Sequence, residues 1–196
     1  MKRALLLASV IAALLVAGAI AIVPRLLVDS GGAPAIGGPF TLVDHTGRTV
    51  TEADYRGRLM LIFFGYTFCP DVCPTTLGTV AQAWEALTPE ERPQLVPIFV
   101  TIDPARDTPP RMAEYVANFF PALVGLTGSP EQVAAIARAY RVYVRKGEGS
   151  ATDYSMDHSA ILYLMDREGR FAGHFDPNAT APQIVAAIRR QLAGKP

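Results

Sequence analysis

Leu59-Met60-Leu61-Ile62-Phe63-Phe64, followed at once by Gly65-Tyr66-Thr67-Phe68-Cys69-Pro70-Asp71-Val72-Cys73-Pro74, decides how the rest of the chain is read. The first six residues are all apolar and have the length of one strand. A strand without polar alternation is buried on both faces, as a central strand covered by helices is. Leu95 to Ile102 is a second run of this kind. Between the two, Thr75 to Leu87 reads as a helix closed by Thr88-Pro89. Pro109 to Phe119 is predicted helical with proline at its start. Ser129 to Tyr140 is another helix, with Ser129 as N-cap, Pro130 in the first turn and Gln132 completing the cap.

Working outward, Phe40 to Val43 and Arg48 to Val50 flank the turn Asp44-His45-Thr46-Gly47 and read as a hairpin. Downstream, Arg141 to Arg145 is a short strand and Lys146 to Asp157 a long polar insertion. Ser159 to Met165 and Phe171 to Phe175 are strands joined by a turn at Asp166 to Arg170. Thr180 to Leu192 is the last helix, with Ile184, Val185 and Ile188 on one side. Strands alternating with helices, then a hairpin and a terminal helix, indicate an α/β domain with a mixed central sheet over residues 39–194.

The N-terminal part is of another kind. Ala4 to Val23 holds 20 residues without a charge, roughly 30 Å as a helix and about one bilayer core. Lys2 and Arg3 precede it, which favours a cytoplasmic N-terminus for residues 1–3. A cleaved signal peptide is the rival, with Ala17-Gly18-Ala19 as a cleavage site. Signal h-regions run only about 7–15 residues, so length argues for a retained transmembrane anchor at 4–23. Residues 24–38, rich in Gly and Pro, read as a flexible linker reaching at most roughly 50 Å. Either way the domain is exported. A bacterial cytoplasmic membrane, with the domain facing the periplasm or cell exterior, is the expected location.

Charge adds exclusions. The chain of 196 residues carries 18 basic and 18 acidic side chains. With Lys2 and Arg3 set aside, 16 basic against 18 acidic residues remain, a net −2. Neither a nucleic-acid-binding face nor an acidic tail is present. Cys69 and Cys73 are the only cysteines, too few and too close for a secreted disulfide scaffold, so they point to a metal site or a redox pair. They follow a buried strand, at the carboxyl edge where open α/β sheets gather ligands. A helix N-terminus there favours thiolate over thiol. At i and i+4, the two sulfurs fall within reach of one metal or one disulfide.

Two thiolates leave a soft cation undercoordinated, and an imidazole would complete a copper or zinc site. His45 reads as a solvated turn residue and His174 as an ordinary surface residue. His158 stands between the polar insertion and a buried strand; where that strand neighbours Leu59 to Phe64, its start faces the cysteines. Placement leaves His158 either a ligand or a capping residue that holds the loop. Asp71 reads as a helix N-terminal carboxylate or as a residue that supports the site or its recognition, Asp157 as a loop residue or a partner orienting His158, and Met156 as a loop or packing methionine or a soft ligand.

In these segments the chain resembles the Sco (SenC) family, copper chaperones of cytochrome oxidase assembly. The resemblance is carried by Gly65 to Pro74, by Thr101-Ile102-Asp103-Pro104-Ala105-Arg106-Asp107-Thr108-Pro109, by Gly125-Leu126-Thr127-Gly128, and by Asp157-His158-Ser159-Ala160 leading into Leu162-Tyr163-Leu164-Met165-Asp166. It implies a thioredoxin-like fold on one N-terminal membrane helix. It also implies one copper ion, Cu(I) or Cu(II), held by Cys69, Cys73 and His158. The implied partners are the copper-bearing subunit of cytochrome c oxidase and a periplasmic thiol reductant, because only the reduced pair binds metal. On this reading the chain is a metallochaperone rather than a turnover enzyme. A thiol–disulfide oxidoreductase acting on the oxidase subunit or another copper protein is the alternative.

Overall fold

The computed structural model describes residues 36–150 and 152–194. The predicted anchor at 4–23 and most of the linker lie outside them. Among the described residues no helix is long and apolar enough to cross a membrane.

Seven strands form one mixed sheet, in the order β2-β1-β5-β4-β3-β8-β9. The hairpin β1 (Thr41–Asp44) and β2 (Thr49–Thr51) occupies one edge. At the centre lie β3 (Leu59–Gly65) and β4 (Leu95–Thr101), buried along their whole length. They run parallel, from Leu59 opposite Leu95 to Gly65 opposite Thr101. Beside β4 runs β5 (Val124–Thr127), also parallel, and β1 returns antiparallel against it. On the other side β8 (Leu162–Met165) pairs antiparallel with β3, Ile62 facing Tyr163. The sheet ends with β9 (Phe171–Phe175). The parallel centre and antiparallel flanks follow from connection length. Helical crossovers join β3 to β4 and β4 to β5, whereas a tight turn joins β8 to β9.

Four helices cover the sheet: α1 (Val72–Glu85), α2 (Pro109–Val116), α3 (Pro130–Ala139) and α4 (Ala181–Leu192). The first and last pack against each other, and α2 lies on β5. The cap predicted for α3 is present: the Gln132 N–H donates to Ser129 Oγ at 3.2 Å and the Ser129 N–H to Gln132 Oε1 at 2.8 Å. Past its C-terminus Arg141 takes φ +56°, while the Val142 N–H reaches back to the Ala137 carbonyl at 2.8 Å. This left-handed closure turns the chain sharply out of the helix.

Two expectations need correction. Lys146 to Asp157 is no loop: β6 (Val144–Gly149) and β7 (Tyr154–His158) form a separate two-stranded hairpin. Pattern reading misses it because β6 is almost wholly solvent-exposed, so no apolar alternation marks its faces. His158 accordingly closes β7, and the following strand starts later, at Leu162. The second omission is β5, read above only as a motif; its four residues are too few to show a period.

Candidate metal centre

The buried strand β3 delivers the chain to the carboxyl edge of the sheet, and Tyr66 to Asp71 turn it into α1. The turn is closed by the Cys69 N–H donating to the Tyr66 carbonyl at 3.2 Å. Asp71 occupies the N-cap position, yet its carboxylate caps nothing. Cys69 Sγ instead accepts the Cys73 N–H at 3.4 Å, so the sulfur takes up one of the unpaired amides of the first turn. Cys73 is fully buried and Cys69 reaches the surface only at its edge. Gly65 allows this packing: a Cβ there would come within 2.6 Å of Cys73 Sγ and 2.8 Å of Phe99 Cε2.

The structure brings His158 to this pair. Its Nε2 lies 3.6 Å from Cys73 Sγ across 85 residues of sequence, and the donor atoms of Cys69, Cys73 and His158 all lie within 4.8 Å of one another. The other ring nitrogen, Nδ1, is 3.2 Å from the Ser159 carbonyl. A proton on Nδ1 donates to that carbonyl and leaves the Nε2 lone pair directed at the sulfurs. Phe63 and Tyr66 present their rings edge-on to the imidazole, at 6.3 and 6.0 Å between centroids. The Met156 N–H donates to the Tyr66 hydroxyl at 3.3 Å, tying β7 to the cysteine turn.

The two sulfurs are electrostatically unequal. The Cys73 thiol donates to Cys69, and with help from the Asp71 and Cys73 amides it pulls the Cys69 pKa from 9.0 down to about 4, against the opposing effect of burial. Donating that proton, together with its own burial, drives Cys73 the other way. Without metal the pair is therefore one thiolate and one thiol sharing a proton.

The remaining residues weighed from sequence lie elsewhere. Asp157 pairs with Arg145 Nε at 3.0 Å; it is the Ser159 carbonyl that orients the imidazole. Met156 packs against the core and makes its bond through the backbone. His174 is exposed and stacks on Phe171. His45 corrects its reading as solvated: it is half-buried, and its Nδ1 accepts the Gly125 N–H at 3.1 Å.

Sequence reasoning assigned no chemistry to Asp103 and Asp107, although both are buried beside the centre. The Asp107 carboxylate accepts the Thr67 N–H at 3.0 Å and the Thr67 and Thr101 hydroxyls, each at 2.6 Å. Their position just past a central buried strand, at the edge that gathers ligands, was the available signal.

The fold has counterparts. A family model described as SCO1/SenC matches residues 28–193. This chain belongs to the SCO1/SenC family. The human mitochondrial SCO1 homolog is 45% identical over 163 residues, covering 82% of this chain and 54% of its own; the chain thus spans about half the length of that curated relative. The copper-bound structure of Bradyrhizobium japonicum ScoI superposes with a TM-score of 0.75 at 44% identity, covering 80% of this chain and 99% of that one. Copper-bound yeast Sco1 gives 0.76 at 36% identity, covering 83% and 91%. The mixed α/β sheet described above is thus the thioredoxin-like fold of the Sco family.

Proposed function

We propose that this Sco chain is a copper metallochaperone. It takes up one copper ion on Cys69, Cys73 and His158 and delivers it to the binuclear copper site of cytochrome c oxidase during assembly. The observation that carries the reading is the convergence of two sulfurs and one imidazole nitrogen within 4.8 Å at the lip of the fold. Two soft sulfurs and one imidazole suit the low coordination number of Cu(I), and with Cu(II) the two thiolates give a neutral centre. The copper-bound ScoI and Sco1 structures support the choice of metal. The partial exposure of Cys69 gives an acceptor's ligands a route to the ion, while buried Cys73 holds the opposite side. Uptake requires the reduced pair, and a periplasmic thiol reductant keeps it so. Ala4–Val23, as an anchor in a bacterial cytoplasmic membrane, would hold the domain beside the membrane-bound recipient.

Thiol–disulfide exchange is the second reading. It is favoured by the asymmetry of the pair, a thiolate at Cys69 backed by a thiol that can resolve a mixed disulfide. His158→Ala separates the two. Titration of the reduced full chain with Cu(I) against a competing chelator is expected to give one ion per chain, and His158→Ala to weaken binding at least about 10-fold. Disulfide exchange should survive in the variant. Oxidase assembly that proceeds normally with His158→Ala would overturn the chaperone reading in favour of the reductase.

A further inference from the structure

The loop after β4, Thr101 to Thr108, donates nothing to the proposed centre, yet it is bonded to both halves of it. At one end Asp107 holds the backbone and hydroxyl of Thr67, two residues before Cys69. At the other end buried Asp103 accepts the Tyr154 hydroxyl at 2.7 Å and pairs with Arg106 Nε. The Arg106 guanidinium carbon lies 3.6 Å from the centroid of the Tyr154 ring, and Nη1 faces the Thr152 carbonyl at 3.5 Å. Tyr154 opens β7, the strand that ends in His158. Arg106 Nη2 is buried without a hydrogen-bond partner, so contact with the Tyr154, Phe68 and Tyr66 rings holds that side of the guanidinium.

The loop is also closed on itself. The Asp107 and Arg106 N–H groups donate to the Asp103 carbonyl at 3.0 and 3.2 Å, and the Asp103 N–H donates to Thr101 Oγ1 at 2.9 Å. The two carboxylates therefore sit on a single turn and cannot shift independently. We infer that Thr101–Thr108 is a rigid spacer setting the separation of the cysteine turn from the histidine hairpin. Asp107 is the positioning residue for the sulfurs; Asp103, Arg106 and Tyr154 position the imidazole. The hairpin needs such a tie because it stands apart from the main sheet, and an imidazole on a loose arm must be ordered at the moment of binding.

This inference rests on the three-ligand reading, and a double-mutant cycle keeps the two apart. Tyr154→Phe removes one hydroxyl and keeps the ring under Arg106. In the reduced full chain it is expected to weaken Cu(I) binding about 10-fold, with a modest drop in thermal midpoint from the unpaired Asp103 oxygen. In the His158→Ala background it should cost nothing further, since there is no imidazole left to position. In the metal-free protein it should speed amide exchange of residues 154–158 and leave Tyr66 to Cys73 unchanged. Asp107→Asn, nearly isosteric, should weaken binding equally with and without His158. A Tyr154→Phe loss that persists undiminished beside His158→Ala, or no loss at all, overturns the spacer. A His158→Ala that binds copper normally overturns the ligand set instead.

Discussion

The cysteine turn and the histidine hairpin carry parts of one centre and are built on opposite plans. The turn continues a strand that is buried throughout; both sulfurs sit within one helical turn, and the backbone between them is tied by its own amides. The hairpin is exposed along β6 and has a register shift between Lys146 and Gly149. It pairs only with itself and is held from outside by Asp103, which binds the Tyr154 hydroxyl, and by the Tyr66 hydroxyl, which binds the Met156 N–H. The soft ligands are thus fixed by local geometry and core packing, the imidazole by a few removable tethers. On the proposed chaperone reading, this division lets one ligand leave without unfolding the other two.

The two regions should respond to substitution to different extents. The largest effect belongs to Gly65→Ala, which puts a methyl group against Cys73 Sγ and Phe99 Cε2. It should destabilise the fold by about 1–3 kcal/mol, read as a lower urea midpoint, and it should displace the buried sulfur. Next is the inequality of the sulfurs. Because the Cys69 pKa is depressed to about 4, its thiolate is present above that pH and lost below it. Alkylation of Cys69 by iodoacetamide should stay level from neutral pH down to about 5 and fall only as pH approaches 4, whereas an ordinary thiol slows about tenfold per pH unit. Cys73 should stay unmodified while the fold holds. A Cys69 profile that drops steadily below neutrality would remove the thiolate–thiol pairing. The smallest effect is expected at Arg145→Ala on the hairpin. It breaks an exposed ion pair with Asp157 that solvent largely screens. Thermal midpoint and copper affinity should both stay unchanged; a clear loss of affinity would mean that the arm is less compliant than its exposure implies.

Most of the fold was legible because burial leaves a mark on composition. The all-apolar runs of β3 and β4, the proline-led helices and the Ser129 cap each state their local structure. The hairpin β6–β7 left no mark, since β6 is almost wholly exposed and has no apolar alternation to declare it. The four-residue β5 was likewise too short to declare itself.

The centre divides along the same line. Cys69 and Cys73 are set one helical turn apart by covalent spacing after a buried strand, so local sequence is enough to bring them together. Resemblance, not spacing, put His158 with them. Folding of the whole domain is what places the imidazole 3.6 Å from Cys73 Sγ, sets the Ser159 carbonyl rather than Asp157 against it, and bonds Asp107 to Thr67 and Asp103 to Tyr154. Contacts between segments distant along the chain depend on sheet order and on where each strand ends, and no local pattern of residues encodes those.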